Sequence, residues 1–95
     1  MIDLDTKYIT YINTVISKYL NEYKLFLFGS RAKGTAKKYS DIDLAIKADG
    51  FTTSIKNRIE FEFENSTLPY EVDIVDLNNI TEEFKKLIND SMVEI

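Results

Sequence analysis

Between residues 7 and 22, apolar side chains recur at Tyr8, Ile9, Ile12, Val15, Ile16, Tyr19 and Leu20. That spacing follows the 3.6-residue period and predicts an amphipathic helix with Asp5 as its N-cap. Residues 24–28 (KLFLF) form a short apolar run that stops at Gly29, which reads as a buried strand because it is too short for a helix. Residues 30–40 are small, polar and basic around Gly34 and suit a short helix or an ordered loop. Residues 41–47 (DIDLAIK) alternate, with Ile42, Leu44 and Ile46 on one face and Asp41, Asp43 and Ala45 on the other, as a half-buried strand does. Residues 51–65 carry two patterns. Phe51, Ile55, Ile59 and Phe63 keep a helical spacing, while Ile59, Phe61 and Phe63 alternate with Glu60, Glu62 and Glu64 as in a strand. The segment's length and polar first half favour a helix. After Pro69, residues 70–77 (YEVDIVDL) predict a third strand, with Val72 and Ile74 on one face and Glu71, Asp73 and Val75 on the other. Ile80, Phe84, Leu87 and Ile88 mark a last helix, capped by Asn79 or Thr81.

The predicted order is helix, strand, short helix or loop, strand, helix, strand, helix. The economical arrangement is an α/β (α+β) domain: one small mixed sheet with helices packed on one face, and a core of Ile42, Leu44, Ile46, Val72 and Ile74. Residues 1–95 are expected to form a single domain, whose size allows only about 60–65% of the chain's surface to be buried. With 44% hydrophobic and 29% charged residues the composition is that of a globular protein rather than a disordered one. No apolar run approaches the roughly 20 residues needed to cross a bilayer, and the first residues lack the pattern of a signal peptide. The chain has no cysteine, which removes disulfides and thiolate metal sites and fits a cytoplasmic location. A net charge of −4 argues against general nucleic-acid binding. Arg31, Lys33, Lys37 and Lys38 nevertheless lie close together, a local patch that suits either a small anion or a solvated loop.

Aspartate is depleted from strands, so its recurrence on one side of two strands stands out. Asp41 and Asp43, two residues apart, project to the same face about 6.5–7 Å from each other. Asp73 would join them if its strand is the neighbour. Crowded carboxylates repel one another unless a cation intervenes. Magnesium takes oxygen ligands and is usually held by one or two carboxylates together with substrate phosphates. For one Asp-x-Asp pair the plainer reading, a solvated strand face, would prevail, and it is kept for Asp76, which alternates away from Asp73. Gly29-Ser30 shifts the balance. A strand ending in Gly-Ser before a small, basic segment can turn sharply and aim backbone N–H groups at an anion. Arg31 and Lys33 could add charge there, though for Lys33, Lys37 and Lys38 an exposed loop charge serves equally well.

Gly29-Ser30, ten residues, Asp41-x-Asp43 and then Asp73 on a later strand together resemble the DNA polymerase beta-like nucleotidyltransferase superfamily. LFGSRAKGTAKKYSDIDLAI (residues 27–46) is similar to its minimal nucleotidyltransferase group in particular. The stretch VDIVDL (residues 72–77) resembles that group's third-carboxylate strand, and residues 84–95 its closing helix and tail. The resemblance implies a polymerase beta palm-like fold and transfer of AMP from ATP to a hydroxyl. It implies that Gly29 and Ser30, helped by Arg31 and Lys33, hold the triphosphate. Asp41 and Asp43 would bind two magnesium ions, and Asp73 would bind the catalytic one and help activate the acceptor. Two ions about 3.5–4 Å apart stabilise the attacking and leaving oxygens of an in-line displacement. The chain has no histidine, so the base is a carboxylate, a metal-bound hydroxide or solvent.

Ninety-five residues leave no room for an acceptor-binding domain, so a partner protein is expected to bring the acceptor. Minimal nucleotidyltransferases of this kind are commonly paired with HEPN-domain toxins, whose tyrosine they adenylylate as antitoxins. Three other readings stand beside this one: a small-molecule acceptor such as an aminoglycoside, a non-catalytic antitoxin that works by contact, and a plain interaction domain. Ser40 could cap or orient the loop before Asp41. Tyr8, Tyr11, Tyr19, Tyr23 and Tyr39 read mostly as core or half-buried packing residues.

Overall fold

The computed structural model describes residues 2–95. Helix α1 (Thr6–Ser17) starts at Asp5, whose carboxylate accepts the Lys7 N–H at 3.0 Å and so satisfies one of the helix's free donors. It buries Ile12, Val15 and Ile16. Although the apolar stripe continues to Leu20, the helix stops at Ser17. The chain turns there with the Leu20 N–H on the Ile16 carbonyl, and Leu20 still enters the core. Strand β1 (Lys24–Phe28) leads directly into the short helix α2 (Gly29–Lys33), so the segment after Gly29 is a helix and then a loop. Gly34 closes α2 at φ 76°, the left-handed conformation that glycine adopts without a Cβ penalty.

Strand β2 (Ile42–Lys47) pairs with β1 antiparallel and with β3 (Val72–Asp76) parallel. A parallel pair needs a crossover, which α3 (Thr53–Glu64) supplies; residues 59–64 are therefore helical, as their length favoured. Thr52 caps α3 through the Ile55 N–H, and Thr81 caps α4 (Glu82–Asn89) through the Phe84 N–H, which settles the choice between Asn79 and Thr81. Glu82 and Glu83 in the first turn of α4 complement its dipole. The sequence did not predict β4 (Val93–Glu94), which pairs with β1 and completes the sheet order β3-β2-β1-β4. Two residues are too few to carry an alternation, and only the free edge of β1 makes them a strand.

The core lies between the sheet and helices α1 and α3. Ile12, Val15, Ile16, Leu27, Ile42, Leu44, Ile46 and Ile59 are fully buried there, with Ile74 beside them and Val72 at the margin. Tyr19 donates to Glu62 at 2.7 Å and Lys18 pairs with the same carboxylate, tying the turn after α1 to α3. On the opposite face, the aligned row Phe26, Ala45 and Val75 crosses the three long strands, with Ala45 fully buried. The next row is Phe28, Asp43 and Asp73, and Phe84 of α4 meets Phe28 edge to face at 6.2 Å. That face is therefore apolar in one row and acidic in the next.

These burials predict a sharp contrast in urea unfolding. Leu44→Ala, at a fully buried site, should lower stability by about 2–5 kcal/mol. Leu87→Ala, where the side chain is 77% exposed, should change it by less than about 0.5 kcal/mol. Equal losses at the two positions would contradict the packing described.

Candidate active site

Strand directions bring the expected residues together. Because β1 runs antiparallel to β2, the end of β1 lies beside the start of β2, and Phe28 is registered with Asp43. Because β3 runs parallel to β2, its start lies there too, and Asp43 is registered with Asp73. Neighbouring strands are about 4.8 Å apart, so Asp43 and Asp73 stand side by side on one face. Asp41 lies just before β2 rather than in it, and it is exposed. The first ladder bond beyond it runs from the Ile42 N–H to the Glu71 carbonyl. Gly29, Ser30, Asp41, Asp43 and Asp73 thus collect at one end of the sheet.

Gly29 shows how closely the parts fit. Its φ is 74°, and a Cβ placed on it would collide with the Asp43 carboxylate. Only glycine lets the turn from β1 into α2 pass over Asp43. The first N–H groups of α2 lack intrahelical partners, and Phe28 at the N-cap offers no side-chain acceptor for them. The start of α2, with its free backbone donors, therefore lies close to the Asp43 carboxylate, an arrangement that would suit a ligand carrying both negative oxygens and a cation.

Asp43 is half-buried, and its carboxyl is pushed above the usual carboxylate range. Loss of water through burial is the main cause, and the neighbouring Asp73 and Asp41 charges add to it. Among the described residues no group of three acidic or other ligating side chains forms a ready-made metal cage. The fit is instead to a cation held partly by Asp43 and its neighbours and completed by phosphate oxygens and water, the habit of magnesium. The donors are all oxygen, and the repulsion from Asp73 and Asp41 that adds to the effect of burial on Asp43 is what a divalent ion would relieve.

Arg31 was expected either to add charge near a phosphate or to be an exposed loop charge, and its burial corrects the second reading. It is 5% exposed, with Nε and Nη2 donating to the Ser40 carbonyl at 3.0 and 2.8 Å and Nη1 donating to the Asp3 carbonyl at 2.8 Å. Its guanidinium lies 4.1 Å from the centre of the Tyr70 ring. Lys33, Lys37 and Lys38 are exposed. Ser40 does orient the loop, its hydroxyl accepting the Lys37 N–H at 2.8 Å. Tyr39, expected to pack, is 76% exposed. Asp76 lies in register with Ile46 and caps the turn after β3 through the Asn78 N–H, away from the site. Tyr70 was not singled out by sequence reasoning; it lies outside the motif, and nothing local marks it as the platform for Arg31. Beside Asp73, a groove of about 490 Å³ runs between α3 and the start of β3, with Glu60, Glu64 and Glu71 among its lining residues.

The sequence profile described as "Polymerase beta, Nucleotidyltransferase" matches residues 11–95. The chain belongs to this nucleotidyltransferase family. It is 34% identical over 95 residues to a probable protein adenylyltransferase, MntA, of Haemophilus influenzae, an alignment covering 99% of this chain and 83% of that protein. The fold is also that of solved structures. A crystal structure of a toxin–antitoxin with AMP-PNP superposes with a TM-score of 0.77 at 23% identity, over 90% of this chain and 69% of the other. An MNT antitoxin in complex with the tri-AMPylated HEPN toxin of Shewanella oneidensis superposes at 0.70 with 20% identity, over 90% and 66%. The nucleotidyltransferase motif, from Gly29-Ser30 to Asp41-x-Asp43, lies wholly within the matched residues.

The strained charge at Asp43 gives a pH-dependent prediction for the metal-free nucleotidyltransferase. A raised folded-state pKa means that the folded protein holds this proton more tightly than the unfolded chain. The resulting stabilisation is full below the unfolded value, about 3.9, and is lost as pH rises through the folded one. At neutral pH in EDTA, Asp43→Asn should therefore melt at a higher temperature than the parent, and the gap should close at about pH 3, below the unfolded value. A variant that melts lower than the parent at neutral pH would show that ionised Asp43 stabilises the fold instead.

Proposed function

We propose that this nucleotidyltransferase is an antitoxin that transfers AMP from ATP to a tyrosine hydroxyl of a HEPN-domain toxin. The observation that carries the reading is the turn of Gly29 over the Asp43 carboxylate beside Asp73, a juxtaposition of free helix-start donors and carboxylates that would suit a triphosphate with its cation. The MntA relative is named a probable protein adenylyltransferase, and the fold neighbours include an antitoxin bound to an AMPylated HEPN toxin. Both support a protein acceptor. The site is open at the edge strand β3, and a tyrosine on a partner surface could approach beside Asp73 without a further domain from this chain.

In the proposed reaction the tyrosine oxygen attacks the α-phosphorus, the bond to the β-phosphate breaks and pyrophosphate leaves. The phenol proton goes to Asp73 or to water. Gly29 and Ser30 hold the triphosphate, while Asp41, Asp43 and Asp73 hold magnesium, for which two ions are expected. When bound, magnesium supplies charge neutralisation for the attacking and leaving oxygens. The protein otherwise positions the groups and excludes competing geometry, since phosphoryl transfer asks little covalent help from side chains.

The test is to incubate the protein with magnesium, ATP and a purified HEPN-domain toxin, and to follow the mass of that toxin. Gain of AMP on a tyrosine is expected, with the rate falling roughly 100-fold or more in Asp43→Asn, the scale of losing one preorganised charge-stabilising group. Neutralisation of the toxin without any mass gain, retained in Asp43→Asn, would replace this reading with a contact-only antitoxin.

A further inference from the structure

Asp41 lies outside the β-ladder, yet the site needs it at a fixed place. The turn before it contains an Ser40 N–H to Lys37 carbonyl bond at 3.1 Å, and the ladder begins only at Ile42. The Ser40 carbonyl and the Asp41 N–H belong to one planar peptide, so whatever holds that carbonyl also sets where Asp41 starts. Two nitrogens of Arg31 donate to that oxygen in a fork, at 3.0 and 2.8 Å.

The other contacts of Arg31 reach the remaining parts of the site. Its own backbone belongs to α2, directly after Gly29-Ser30. Its guanidinium rests on Tyr70, two residues before the strand that carries Asp73, and Tyr70 in turn meets Tyr8 of α1 edge to face at 5.5 Å. Its third nitrogen holds the Asp3 carbonyl, while the Asp3 N–H donates back to the Arg31 carbonyl at 2.7 Å. Among the described residues neither ion pair involves Arg31. A buried cation without a carboxylate is costly unless its donors are satisfied, and here carbonyls and a ring face satisfy them. A planar fork that also stacks is a geometry that arginine can supply and lysine cannot.

We propose that Arg31 is a positioning residue that locks the Ser40–Asp41 peptide to α2 and to the Tyr70 platform, and thereby fixes Asp41 relative to Gly29-Ser30 and Asp73. The effect on cation binding rests on the metal-site reading above; the effect on the peptide does not.

The test uses Arg31→Lys in the full chain, with two readouts. Backbone ¹⁵N order parameters at Ser40 and Asp41 should fall from about 0.85, typical of rigid backbone, to below about 0.6, while Ile42–Lys47 stay rigid. Titration with Mn²⁺ followed by EPR should show affinity weakened about 10-fold or more, the usual cost of losing a group that orients a metal ligand. Raising Mn²⁺ should restore occupancy. Tyr70→Leu removes the platform and leaves the fork; it should produce the same loosening at smaller amplitude, whereas Tyr70→Phe should not. Unchanged order parameters at Ser40 and Asp41 in a folded Arg31→Lys protein would overturn the proposal. Loosening in a protein whose parent binds no Mn²⁺ would leave Arg31 as the lock on Asp41 and overturn the metal-site reading alone.

Discussion

Asp43 is held half out of water beside two other carboxylates, and glycine alone allows the chain to turn above it. Burial and like charge both oppose its ionised form, so the site is electrostatically unfavourable in the absence of a ligand. A strand face this acidic would be unremarkable if it were fully solvated. Here the Gly29 turn lies against the Asp43 carboxylate, and burial limits that group's access to water. A cation would relieve the repulsion among the carboxylates, and phosphate oxygens bound to it could accept from the free backbone donors of α2.

The sheet order explains why so short a chain can build this arrangement. An antiparallel pair places the end of β1 at the start of β2, and a parallel pair places the start of β3 beside it. The α3 crossover that makes the parallel pair also closes the core over Ile42, Leu44, Ile46 and Ile74. The alternation that buries these residues is the same one that sends Asp43 and Asp73 to the other face. Core and site are therefore two sides of one register, and a slip of one residue would exchange them. At the free edge of β1, β4 adds its ladder bonds on the side away from Asp73.

Much of this was legible in residue patterns. The alternation in DIDLAIK and YEVDIVDL gave the strands and their faces, the cap at Asp5 was read from residue type, and Thr81 was one of two candidates for the last cap. The ambiguous segment around Phe61 resolved as helix because a parallel strand pair requires a crossover. Patterns failed where contacts are long-range. The strand at Val93–Glu94 depends on an edge that only the folded sheet provides. Arg31 looked like one more basic residue in a basic loop; its burial depends on Asp3 and Tyr70, which lie 28 and 39 positions away in the chain. Tyr39 looked like a packing residue because aromatic side chains usually are, yet its neighbours in the loop leave it in solvent.

In the proposed function the Gly29 turn and the carboxylates of β2 and β3 act as one cation-dependent nucleotide site. Calorimetric titration with AMP-PNP, in magnesium and again in EDTA, tests it most directly. Binding in magnesium that is lost in EDTA, and lost as well in Asp43→Asn, is the predicted result. Equal affinity in magnesium and in EDTA, unaffected by Asp43→Asn, would contradict it and separate the carboxylates from nucleotide recognition.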